Sequence, residues 1–252
     1  MEVSLNELSR ESRQTGLKIN MNKTKVLRNK HVDQKQVIVE GKIIEGTESY
    51  IYLGQKVSLI ETNIESEINR RIQAGWKAFN DNKTFLKSNI PISLKRKLYN
   101  QCILPAMTYA SETWTMSKAI EKRLAAAQRS MERSMIGVTW QDHITNEWLR
   151  NKTKVRDIIK FIKSNKWKWA GHVARMHDNR WTYQLTDWRP MDGTRARGRP
   201  LKRWRDELDA FWQSVAWKKF AQNKTSRKRQ SASDITPLFH DHNLKELRVE
   251  TL

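Results

Sequence analysis

Six cations fall within eleven residues in the C-terminal third of the chain: Arg195, Arg197, Arg199, Lys202, Arg203 and Arg205, flanked by Trp188 and Trp204. Guanidinium groups pair with phosphate oxygens and exposed indoles stack on unpaired bases, so this segment is a candidate for holding nucleic acid. Within it, Arg197-Gly198-Arg199-Pro200 places two arginines around a glycine, a pattern able to enter a narrow A·T-rich minor groove. Minor-groove reading, general phosphate binding, and a solvated loop whose Pro200 opens the next helix all remain open for these four residues.

Catalytic groupings are sparse. Asp206 and Asp209 are i,i+3 neighbours with Glu207 between them. They suit either a shared cation or, beside three basic residues, ion pairs, and the second reading is the expectation. His172 and His177 are five apart, on different helix faces, and Asp178 completes no zinc spacing; His240 and His242 flank Asp241 in a polar tail. No metal site is assigned, and no Ser/His/Asp set follows from residue order. The single Cys102 excludes an intrachain disulfide and is read as a small core residue.

The whole chain shares the charge of this loop. Its 252 residues carry 48 Lys and Arg against 27 Asp and Glu, a formal charge of +21 and a pI near 10.2, which points to a polyanionic partner. No run approaches the roughly 18 apolar residues of a membrane span, and the N-terminus lacks the basic-then-apolar order of a secretory signal. Nucleic acid, met inside the cell, is therefore preferred to a membrane surface. Eleven tryptophans, nine of them between Trp140 and Trp217, argue for a folded chain.

The elements that position these residues follow from periodicity. Leu5 and Leu8 suggest a helix closed before Gly16. Leu17 and Ile19, Val37 to Val39, Ile43 and Ile44, and Tyr50 to Leu53 read as three or four short strands with one hairpin, separated by Glu40-Gly41 and Glu45-Gly46 turns. Ile64, Ile68, Ile72, Trp76 and Phe79 then form a helical stripe, with Glu65, Glu67, Arg70, Arg71 and Lys77 facing away. Further helices are expected from Ser93, as N-cap, through inward Leu94, Leu98 and Cys102 to a kink or end at Pro105; through Ile120, Leu124, Ala127, Met131 and Met135; and through Val155, Ile158, Ile159 and Ile162. A last helix puts Leu201, Trp204, Leu208, Phe211, Trp212 and Val215 inward and Lys202, Arg203 and Arg205 outward. Trp76, Trp204 and Trp212 are expected in the core, whereas Trp167 and Trp169 around Lys168 suit either core or an aromatic and cationic surface.

Five strings occur in a telling order: Gly16-Leu17-Lys18-Ile19-Asn20 with Asn22-Lys23-Thr24-Lys25; Tyr52-Leu53-Gly54; Ala110-Ser111-Glu112-Thr113-Trp114; Trp169-Ala170-Gly171-His172-Val173-Ala174-Arg175; and Gly198-Arg199-Pro200-Leu201-Lys202-Arg203-Trp204. Together they resemble the C-terminal part of the endonuclease–reverse transcriptases of non-LTR (LINE-type) retrotransposons, over roughly residues 1–215. The resemblance implies that residues 16–25 close a polymerase palm, that Tyr52, Leu53 and Gly54 position a primer end, and that helical thumb and basic tail follow. It makes Lys23 a candidate proton donor to pyrophosphate and Lys25 a second nucleic-acid contact. It also implies magnesium for a full-length parent enzyme, held on palm aspartates of an [FY]-A-D-D hairpin. That hairpin is not in this sequence, so the chain is expected to start just after it, to need no cofactor of its own, and not to polymerise alone.

The expected architecture is α+β, mostly α. Residues 1–58 would be the end of the palm, 59–164 a helical thumb or connection, 165–221 a basic Trp-rich nucleic-acid-binding tail, and 222–252 a disordered end. The expected function is that of a C-terminal fragment of an RNA-directed DNA polymerase, binding an RNA–DNA hybrid, DNA or RNA, in the nucleus or in a cytoplasmic ribonucleoprotein before import; Lys224 to Arg229 suit a nuclear-localisation patch. Two alternatives stand beside it: a stand-alone nucleic-acid-binding protein domesticated from the element, and a truncated open reading frame without function.

Overall fold

Residues 2–29, 31–33, 35–59, 63–176, 180–186, 202–212 and 218 are described by the computed structural model of the chain. They are α+β and mostly helical, and they divide into two compact units after Arg70. The expected disordered end, 222–252, lies outside the described residues. Among the described residues no helix is long and apolar enough to cross a membrane.

In the N-terminal unit, helix α1 (Glu2–Gln14) ends at Gly16, whose φ of +78° is the left-handed conformation that glycine adopts without a Cβ penalty. Strands β1 (Lys25–Leu27), β2 (Val37–Val39) and β3 (Lys42–Thr47) form a sheet of order β1-β3-β2, with β3 parallel to β1 and antiparallel to β2. Val26, Val37, Val39 and Ile44 make its small core, against which Leu5 of α1 and Met21 pack. Strand β2 is an edge, and α1 closes it with side chains. Glu2 Oε1 accepts from the Ile38 N–H at 2.9 Å, Asn6 Nδ2 donates to the Ile38 carbonyl at 3.2 Å, and Asn6 Oδ1 accepts from the Glu40 N–H at 2.9 Å. A carboxylate and an amide thereby take the place of a neighbouring strand.

Two hairpins follow, one more than expected. Both turn through two residues with positive φ, as the right-handed twist of the strands favours. Glu40 (φ 50°) and Gly41 (φ 72°) join β2 to β3; Leu53 (φ 48°) and Gly54 (φ 78°) join β4 (Ser49–Tyr52) to β5 (Gln55–Ser58). The Glu40 carboxylate accepts from Ser9 Oγ and Arg13, and these two, the Ser9 hydroxyl first, hold its pKa below the usual range. Two expectations are corrected here. Leu17 and Ile19 lie in irregular backbone, and Glu45-Gly46 is not a turn but the part of β3 that pairs with Lys25 and Val26.

Helix α2 (Asn63–Asp81) spans the division at Arg70, and the C-terminal unit continues with α3 (Lys83–Lys87) and α4 (Ile92–Leu98). Helix α4 starts directly after Pro91, so Ser93 lies inside its first turn and is not the N-cap. A π-helical turn (Tyr99–Ile103) then carries the chain into α5 (Leu104–Thr108). Pro105 has no N–H to give and its ring crowds the preceding turn; the wider turn, in which the Leu104 N–H bonds the Tyr99 carbonyl, lets the helix pass through it. The buried row here is Lys95, Tyr99 and Ile103, one residue on from Leu94, Leu98 and Cys102. Tyr99, Ile103 and Leu104 fill the core, whereas Cys102 and Leu94, expected inside, are exposed.

A short 3-10 turn (Ser111–Thr113) leads to α6 (Lys118–Ile136), capped by the Ser117 hydroxyl and closed by Gly137, then α7 (Asn146–Thr153) and α8 (Ile158–Ala174), capped by Thr145 and Asp157. Helix α8 runs unbroken through residue 165, where the composition changes. Helices α9 (Trp181–Thr186) and α10 (Asp206–Trp212) complete the described residues. Ile120, Leu124, Met131 and Met135 are buried as their spacing demands, but two polar neighbours on α6 are buried with them. Gln128 accepts from the Ile158 N–H at 2.9 Å and donates to the Arg156 carbonyl at 2.7 Å; Glu132 accepts from Thr153 Oγ1 at 2.5 Å. These bonds tie α6 to the end of α7 and the start of α8. Burial pushes the Glu132 pKa up, against the opposing pull of the Thr153 bond and Arg150.

Two stability effects are expected. A Cβ on Gly75 would lie 2.2 Å from Cγ of Met107, so Gly75→Ala should cost a net 1–2 kcal/mol or about that after its helix-propensity gain, read from urea denaturation. Because the folded pKa of Glu132 is raised, its contribution to stability is complete below the unfolded value and is lost as pH rises through the folded one. Glu132→Gln, which keeps an acceptor for Thr153, should therefore gain stability relative to the unsubstituted chain between pH 4 and 7. Urea midpoints across that range check it; a constant difference contradicts it.

Candidate nucleic-acid interface

The turn at Tyr52-Leu53-Gly54 projects from β4 and β5 with Tyr52 62% and Leu53 77% exposed. Leucine rarely adopts φ near +50°, since its Cβ then meets the backbone; the conformation costs about 1 kcal/mol and must be held from outside the turn. The first turns of α2 hold it. Arg70 donates to the Gly54 carbonyl and, at 2.8 and 2.6 Å, to Glu67, whose second role is to accept the Lys56 N–H at 2.9 Å. Glu67 is buried, so this clamp corrects the expectation that Glu67 faces away from the apolar stripe. Arg71, expected outward, is buried too, with its guanidinium 4.7 Å from the Tyr109 ring centre.

Lys23 is brought to the same hairpin through its backbone. Its N–H donates to Asn20, and its carbonyl accepts from Tyr50 Oη at 3.3 Å, while the side chain is exposed and makes no hydrogen bond among the described residues. Lys25 points elsewhere and is ion-paired with Glu45 across the β1–β3 ladder.

In the C-terminal unit, three of the strings quoted above meet at one buried lysine. Lys166 of α8 is 2% exposed. Its Nζ donates to Glu207 Oε2 of α10 at 2.7 Å and to the Trp114 carbonyl at 3.1 Å, and lies 5.2 Å from the Trp204 ring centre. Glu207 Oε1 also takes Lys202 at 3.0 Å and the Met116 N–H at 2.9 Å, while Lys202 donates to the Met116 carbonyl at 2.7 Å. Trp204 Nε1 donates to the Glu112 carbonyl at 2.7 Å, and the indole meets Trp169 edge-on at 5.9 Å. Leu208 closes the cluster against Ala170 and Ala174. Burial draws the Lys166 pKa down, and Glu207 opposes that by favouring the charged form.

This geometry distributes the cations expected at the basic loop. Lys202 is anchored as above, and Arg205, expected outward, has a side chain only 12% exposed, with Nε 2.9 Å from Asp209 Oδ2. Arg203 is partly exposed, and its N–H donates to Asp206 at 2.7 Å. Helix α10 begins at Asp206, after these residues. Arg195, Arg197 and Arg199, with Trp188, Pro200, Leu201, His177 and the patch 224–229, lie outside the described residues. Asp206, Glu207 and Asp209 are used in hydrogen bonds and ion pairs, with Glu207 drawn inside. Trp167 and Trp169 pack toward the Leu208 and Trp204 cluster, whereas Lys168 is exposed.

Lys166 was missed by reading the sequence, yet it had a signal. It interrupts the i+4 row Ile158, Ile162, Ala170, and a lysine in an apolar row needs a buried acceptor. Among the described residues no three His, Cys, Asp or Glu side chains gather as metal ligands. The described carboxylates do not fit the magnesium pair of a polymerase palm.

A transposon-derived protein of Caenorhabditis elegans is 38% identical to the chain over 212 residues, which cover 81% of this chain and 76% of that protein. No family model matches the chain, and no solved structure matches it.

The lock at Lys166 predicts an asymmetry. Glu207→Ala strands a buried ammonium and should cost about 3–5 kcal/mol, with earlier tryptic cleavage at Arg203 and Arg205; the paired change Lys166→Met with Glu207→Leu should cost less than either single removal. Urea denaturation and limited proteolysis of the three variants provide the comparison.

Proposed function

This chain belongs to a family of transposon-derived proteins, and from that premise we propose that it corresponds to the C-terminal part of a LINE-type reverse transcriptase and binds nucleic-acid duplexes, an RNA–DNA hybrid first among them. The observation that carries this reading is the Tyr52-Leu53-Gly54 turn. A leucine 77% exposed yet held at φ 48° by buried Glu67 and its partner Arg70 is a local cost placed at the surface, and such cost collects where a ligand is met. In this reading Tyr52 and Leu53 lie against the primer end, and Lys23 reaches a phosphate. The formal charge of +21 gives the long-range attraction.

The basic loop divides its labour. Lys202 fastens the tail to the helical unit through the Met116 carbonyl, Arg205 pairs at the start of α10 with Asp209, and Arg195, Arg197, Arg199 and Arg203 contact phosphates. The magnesium expected of this family belongs to the palm aspartates of the full-length parent enzyme. Residues 224–229 serve nuclear import.

Binding of the full chain to a labelled RNA–DNA hybrid across a salt series tests the proposal. Affinity should fall steeply with salt, and Arg197→Ala/Arg199→Ala should weaken it and shallow the salt slope by about two. Leu53→Asn is the sharper probe. It relaxes the left-handed turn and should stabilise the N-terminal unit by about 1 kcal/mol, while weakening hybrid binding about tenfold. Binding indifferent to salt and to all of these changes refutes the reading.

A further inference from the structure

Arg129 and Arg133 stand one turn apart on α6, and Arg150 joins them from α7, which packs on α6. Two of the three are anchored. Arg133 Nη2 donates to Asn146 Oδ1 at 2.9 Å, and Arg150 Nη2 lies 2.5 Å from Asp157 Oδ2. Arg129 is partly buried and has no hydrogen-bond or ion-pair partner among the described residues.

The neighbouring carboxylates are already used. Asp157 takes Arg150 and caps α8 through the Lys160 N–H at 2.9 Å, and Glu132 is buried on Thr153. Burial first, then the charges of Arg150 and Arg133, draw the Arg129 pKa down, with Asp157 and Glu132 opposing them, and an added anion beside the guanidinium would favour its charged form. The turn from α7 to α8 adds exposed Lys152, Lys154 and Arg156. Planar guanidiniums short of acceptors match the oxygens of a phosphate in geometry and in charge.

We propose that Arg129, Arg133 and Arg150 form a phosphate seat on the α6–α7 face, with Arg129 the residue that grips the phosphate directly. A backbone phosphodiester and a free phosphate share this chemistry; the first source rests on the nucleic-acid reading above, and the second does not.

The test uses the full chain in two arms. In the first, a labelled RNA–DNA hybrid is titrated with the unsubstituted protein, Arg129→Gln and Arg129→Lys across a salt series, with circular dichroism verifying that each variant is folded. In the second, inorganic phosphate is titrated while the Nε–H resonance of Arg129 is followed by NMR. The seat with a backbone phosphodiester predicts about tenfold weaker binding by Arg129→Gln, a salt slope lower by about one, and partial retention by Arg129→Lys. Absent hybrid binding together with a saturable Arg129 shift in phosphate keeps the seat and removes the nucleic-acid reading. Hybrid binding that Arg129→Gln leaves unchanged, with an unmoved resonance, overturns the seat and leaves the nucleic-acid reading standing. Neither binding nor shift overturns both.

Discussion

The C-terminal unit depends on one buried charge. An ammonium taken from water into a protein interior is costly unless its donors find acceptors, and Lys166 finds a carboxylate, a backbone carbonyl and an indole face. Those three come from α10, from the segment after the 3-10 turn, and from the residues leading into α10. Satisfying one lysine therefore requires α8, the segment at Trp114 and the stretch from Trp204 to Glu207 to be in place together. Such a pair adds less net stability than an apolar contact of equal size would, but it permits few alternative arrangements. Glu207 extends the constraint to Lys202 and the Met116 N–H, and Trp204 extends it to Glu112.

The N-terminal unit uses the same device at smaller scale. Buried Glu67, with Arg70, sets the hairpin turn at Gly54; Glu2 and Asn6 supply to the β2 edge the acceptors and donor that a missing strand would have supplied. In each case a polar side chain on a helix satisfies backbone groups of a sheet, which suits a unit whose apolar core is only a handful of residues.

The chain's positive charge is thus of two kinds. Lys166 is buried, and Lys202 and Arg205 are paired with carboxylates of their own chain, while Lys23, Lys168 and the α7–α8 turn keep their charges at the surface. Net charge and local density do not separate these classes, because a formal charge counts a buried ammonium and a solvated one alike. The Lys202–Arg205 stretch looked from its composition like continuous phosphate-binding surface; two of its cations face carboxylates of their own chain instead.

Much of the fold was legible because it is local. The stop at Gly16, the turn at Glu40-Gly41, the Ile120 to Met135 stripe and the departure from regular α-helix before Pro105 each follow from residues within one turn or hairpin of one another. What periodicity could not supply is a partner on another element. Cys102 and Leu94 sit outside because the row that packs is the one through Lys95, Tyr99 and Ile103; Glu67, Arg71 and Lys166 sit inside because acceptors or aromatic faces await them. Lys166 and Glu207 are 41 residues apart, and nothing in the neighbourhood of either names the other. The sequence by itself determined the amphipathic elements, the caps and the overall charge, all short-range or additive properties. Only the tertiary structure decided which charges are buried and paired, since that depends on desolvation, and desolvation exists only once the elements have packed.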